Sequence, residues 1–266
     1  IEVCAPRRKD AVEIVRYYLS GKKVANDVTA ELVARLMDGH SCADLESVLN
    51  EAGIYAGFDG CAEIGRTHIM RAVLRNIFEA EDGVNEISAA LKQEVAFHEA
   101  GHVAVAYIFE PGSVGIVSIR SCSNDERGVV QLLKSDDYFG SYEKMYQRVL
   151  VLLAGRAVTE LKFGRTDVGA ESDLSRATAI IQRFVCKYGA SGLHLLRADS
   201  DCDLEYDGND RAVIDETNAM LARMYEEVKA ILRKNWDKVE LVAAALAERG
   251  TLLFEDIVEL LGDKAA

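Results

Sequence analysis

Two histidines four positions apart, with a glutamate beside the first, form the sharpest chemical feature of the sequence: His98-Glu99-Ala100-Gly101-His102. On an α-helix, positions i and i+4 share a face, so both imidazoles reach one divalent ion while Glu99, on the adjacent line, approaches a water beside it. Zinc takes two neutral imidazoles with an oxygen or sulfur donor and leaves a place for water. The metal acidifies that water and polarises a peptide carbonyl, and Glu99 takes the proton, so the expected chemistry is peptide-bond hydrolysis. The plain alternative is a pair of core histidines with satisfied hydrogen bonds.

Two histidines do not complete such a site. Glu160, Asp167, Glu171 and Asp173 all stand near expected helix ends, and spacing does not choose among them. His40, His68 and His194 are isolated and read as structural or exposed, and Cys186 reads as packing. Gly101 weakens a helix interior. It serves either close backbone packing or clearance beside the metal.

The element that must carry the motif is a helix from Ser88 to Phe109, largely buried and broken by Pro111-Gly112. Ahead of it the apolar spacing predicts four helices. The first covers Asp10 to Leu19, and the second runs to about Met37 with Asp27 as its cap. A Ser41/Asp44 capping box opens the third, and the fourth follows the apolar pattern from Ile64 to Ile77. The polar stretch from Glu79 to Glu86 reads as a boundary, giving a helical domain at 1–85 and a second domain at 86–266.

Beyond the motif, Val114 to Ile119 and Gly128 to Leu133 read as a short antiparallel pair. Helices are expected over Ser141 to Leu161 and over Glu171 to Tyr188, with Gly189 as the stop. After the acidic segment Asp199 to Asp210 they resume over Val213 to Trp236, Val239 to Ala247 and Phe254 to Leu261. The fold class is therefore mainly α: a helical bundle followed by a mostly helical domain with a small β element.

Composition narrows the function. Among 266 residues, 31 Lys and Arg face 44 Asp and Glu, a formal net charge of −13, which disfavours a phosphate-backbone binder and so nucleic acid. Six dispersed cysteines without a CxxC pair read as reduced thiols. No uninterrupted apolar run is long enough to span a bilayer. The sequence begins at Ile1 without a visible signal peptide, as a fragment would.

Five ordered segments carry a family resemblance: SCADLESVLNEAG at 41–53, LKQEVAFHEAGHVAVAY at 91–107, LAGRAVTEL at 153–161, GAESDLSRAT at 169–178 and LAERGTLLFEDIVELL at 246–261. Together they resemble the AAA lid plus peptidase domain of the FtsH-type membrane-anchored, ATP-dependent zinc metalloproteases, over nearly the whole chain. The resemblance implies Zn2+ held by His98, His102 and Asp173, with Glu99 as the catalytic glutamate. Glu171 and Asp167 stand near the expected third ligand, either orienting it or serving as exposed loop charge. Gly128-Val129-Val130 corresponds to the strand beside which an extended substrate adds.

The resemblance also implies unfolded polypeptide substrates and a homo-oligomer, a sixfold ring in the family. It implies a natural setting at a membrane of bacteria (the inner membrane), mitochondria or chloroplasts. The sequence contains no GxxxxGK[ST] phosphate loop, so the chain is expected to lack ATPase activity. Asp10-Ala11 stand where the family has Gly-Arg. A catalytically silent assembly or regulatory subunit is the alternative, and the retained Glu99 weighs against it.

Overall fold

The computed structural model describes residues 5–80, 88–120, 128–133, 141–166, 168–188 and 211–262. Most of the expected boundary stretch, Asp167, the Gly189 stop, His194, the acidic segment at 199–210, and Cys4, Cys122 and Cys202 lie outside the described residues.

The N-terminal region forms α1 (Arg8–Leu19), α2 (Ala30–Leu36), α3 (Cys42–Phe58) and α4 (Arg66–Phe78). Its third helix opens on the expected capping box, Ser41 with Asp44. The cap of α2 differs from expectation. Thr29, two residues after Asp27, accepts the Leu32 N–H at 3.1 Å, because the chain turns once more before the helix starts. Asp27 instead faces the first turn of α4, where it accepts the Arg66 N–H. Val15, Val33, Leu45, Leu49, Ile69 and Val73 form the centre of this bundle's core.

The motif helix is α5 (Ala89–Phe109), with Ser88 as its cap. Every residue from Glu94 to Tyr107 is buried, which no one-sided amphipathic helix achieves. It is enclosed by α6 (Tyr142–Phe163) on one side and by α9 (Trp236–Arg249) on another, with α7 (Glu171–Cys186) and α8 (Arg211–Lys234) packed outside α6. Phe97 joins these layers next to the histidines, edge-on to Phe163 and stacked on Trp236.

A three-stranded antiparallel sheet runs in the order β2-β1-β3, with β1 at Val114–Ser118, β2 at Val129–Leu132 and β3 at Thr251–Leu253. The two longer strands meet the sequence expectation. The third does not appear in the sequence pattern, since three residues between Gly250 and α10 (Phe254–Leu261) carry no readable alternation. The sheet is a wall between two cores. Val117, Leu252, Val130 and Leu132 point into the core around α5, whereas Ile116, Leu253 and Val129 point into the N-terminal bundle.

Candidate metal centre

One helical turn separates His98 from His102, and their Nε2 atoms come within 3.1 Å of each other. The first turn of α7 brings Asp173 to the same point: its Oδ2 lies 3.4 Å from His98 Nε2 and 3.0 Å from His102 Nε2. A short 3-10 turn at Val168–Ala170 leads into that helix. A carboxylate at this position is also favoured by the positive end of the helix dipole. The three donor atoms lie within 4.8 Å of one another, a spacing that suits a single ion bonded at about 2 Å to each.

His102 is held from behind. Its Nδ1 lies 2.7 Å from the Val151 carbonyl of α6, so the ring donates there and keeps Nε2 for the cluster. Burial opposes a charge on this imidazole, yet the Asp173 carboxylate, aided by Glu99, outweighs burial and raises its pKa to about 9. Asp173 in turn is buried, which favours its neutral form, but the two imidazoles hold it well below the usual carboxylate range. The imidazoles and the carboxylate thus stabilise each other's charged forms at the cluster.

The floor of the cluster is Gly155 of α6. A Cβ there would stand 2.5 Å from Nε2 of both His98 and His102, so only glycine leaves the imidazoles their place. Gly101 has the other role open to it from sequence: a Cβ would meet the Ala154 carbonyl and Val158 Cγ2 at 2.8 Å each, which makes it the close-packing point of α5 on α6. Clearance beside the histidines comes from the partner helix. The donor chemistry and this cradle fit a zinc ion.

A cavity of about 1130 Å³ opens over the cluster, and Glu99, only 6% exposed, lines it together with Gly128, Val129 and Val130. A Cβ on Gly128 would run into the Glu99 carboxylate, so the first residue before β2 is bare where the glutamate passes. Among the described residues β2 pairs on one side only, with β1, and its other edge borders this cleft.

Other residues weighed from the sequence fall away from the centre. Glu160 accepts from Tyr225 at 2.7 Å and Lys229 at 3.4 Å, tying α6 to α8. Glu171 is exposed at the cavity rim. His68 is buried and structural, its Nδ1 accepting the Gly65 N–H at 2.8 Å and its Nε2 lying 3.3 Å from Asp59. Cys186 is half-buried on α7.

The model of Peptidase family M41 matches residues 85–260, the region that contains every part of this centre. The chain belongs to peptidase family M41. An ATP-dependent zinc metalloprotease FtsH of Alkalihalophilus pseudofirmus is 30% identical over 98% of the chain and 41% of its own length. One from Aquifex aeolicus is 32% identical over 88% of the chain and 37% of its own. The Arabidopsis thaliana ATP-dependent zinc metalloprotease FTSH 11, chloroplastic/mitochondrial, is 31% identical over 98% of the chain and 32% of its own length. The chain therefore spans one third to two fifths of these M41 relatives. Family and His/His/Asp cluster together support a metalloprotease function.

Sequence reasoning missed three contacts of this M41 centre: Val151 behind His102, Gly155 beneath the histidines, and Gly128 against Glu99, Gly128 having been read only as part of the substrate-side strand. A readable signal existed for one of them. Gly155 sits inside a helix of strong formers, where glycine costs about 1 kcal/mol against alanine, so the position stands out as a candidate for close approach by a neighbour.

Proposed function

We propose that the chain is the peptidase part of a zinc-dependent endopeptidase that hydrolyses unfolded or threaded polypeptides. The observation that carries this reading is the convergence of His98, His102 and Asp173 on one point at the bottom of a cleft that Glu99 shares. His98, His102 and Asp173 would hold the zinc, which when bound supplies a Lewis acid that acidifies water and polarises a peptide carbonyl. Glu99 takes the proton of the attacking water and passes it to the departing amine. Burial of its carboxylate between α5 and Gly128 aims it at the cleft and keeps bulk water from competing for it.

An extended substrate fits the outer edge of β2, where backbone groups pair with any sequence and side chains of the substrate alternate. That mode of binding requires an unfolded chain, which supports loose polypeptide as the substrate class. No described helix is long and apolar enough to cross a membrane. The relatives' names carry ATP dependence and, for the Arabidopsis protein, a chloroplast or mitochondrial address. On the resemblance of the five sequence segments, an ATPase core in the whole protein would deliver substrate, a sixfold ring would enclose the cleft, and the setting would be a bacterial, mitochondrial or chloroplast membrane. The test is chelator-sensitive cleavage of an unfolded protein. Glu99→Gln should keep the zinc and abolish cleavage; an unmodified chain that holds zinc and cleaves nothing in any assembly state would point to a silent subunit instead.

A further inference from the structure

Gln131 is the one buried position of β2, 8% exposed, and its side chain reaches the N-terminal bundle and takes no part in lining the metal cleft. Its Nε2 donates at 2.8 Å to the carbonyl of Leu36, the last residue of α2. Carbonyls in the last turn of a helix lack intrahelical partners, so the amide satisfies a group the bundle cannot satisfy itself. The path is kept open by Gly115, where a Cβ would stand 2.5 Å from Gln131 Oε1 and where the β1–β2 register shifts between Val114 and Ile116. Val129, on the same face, packs into the bundle core, while Val130 and Leu132 pack toward α5. The strand that passes Glu99 is thus pinned to the N-terminal bundle.

We infer that Gln131 is a positioning residue: through Leu36 it sets where the Gly128–Val130 backbone lies against Glu99, making substrate capture depend on the placement of the bundle. The claim rests on the peptidase reading and adds a route by which the bundle reaches the cleft. A strand edge that holds substrate equally in the ground and transition states affects KM and leaves kcat alone. A displaced edge therefore weakens capture without touching the proton transfer at Glu99.

The test uses an internally quenched unstructured peptide with the full chain, Gln131→Met and Gly115→Ala. The first variant removes the donor at nearly constant length, and the second keeps the amide but crowds it. Both should raise KM roughly five- to tenfold with kcat within about twofold, the scale of one lost buried hydrogen bond. Zinc content should stay unchanged, and amide hydrogens at 128–132 should exchange faster. An active unmodified chain whose KM is the same in both variants overturns the positioning role, even where melting temperature falls, since that is a structural role only. An unmodified chain that holds zinc but cleaves no peptide overturns the peptidase reading itself, and the inference falls with it.

Discussion

Gly155 lies against His98 so closely that an added Cβ would come 2.5 Å from its Nε2, and the same atom would stand 2.5 Å from Nε2 of His102. Backbone on one helix is therefore shaped by side chains on another. The imidazoles cannot retreat, because Val151 holds His102 from behind and Asp173 closes the far side.

Gly155→Ala should consequently lower zinc affinity by about ten- to a hundredfold, the range seen when groups that orient metal ligands are altered. Competition against a coloured chelator measures it. Unchanged affinity would show that the histidines bind nothing in the arrangement described.

Gly101→Ala tests the neighbouring glycine, whose Cβ would press on α6 backbone and not on the donors. Overpacking of this kind costs about 1–3 kcal/mol, read as a lower denaturant midpoint at constant slope. Zinc stoichiometry should survive, which separates this variant from the previous one.

Glu160 supplies a pH signature remote from the centre. Its hydrogen bond from Tyr225 outweighs burial and, with Lys229, holds its pKa below the ordinary 4.5. A carboxylate depressed on folding contributes stability that is fully present above its unfolded pKa and is lost as pH falls through the lower folded one. Glu160→Gln should thus be less stable than the unmodified chain near neutrality, with the gap narrowing below pH 4.5. Thermal melts across that range check it, and a gap that widens on acidification would contradict the assignment.

These positions also show what the sequence exposes and what it conceals. The motif helix, the Ser41/Asp44 box and the strands around 114–119 and 128–133 are legible because periodicity, caps and β-branched runs act over neighbouring residues. Within the motif, spacing alone places His98, Glu99 and His102 on one helix. Asp173 is 71 positions beyond His102, and no local pattern separates it from Glu160 or Glu171; only the resemblance of GAESDLSRAT singles it out. β3 and the Gln131–Leu36 bond are hidden for the same physical reason, since each exists only through a partner far along the chain.

The most direct measurement of the central claim is X-ray absorption or anomalous diffraction at the zinc edge on the purified chain. The account predicts one zinc per chain between His98, His102 and Asp173, with nitrogen donors at about 2.0–2.1 Å and an oxygen at about 2.0–2.2 Å. Zinc found only at exposed thiols such as Cys42 or Cys61, or none after loading, would contradict it.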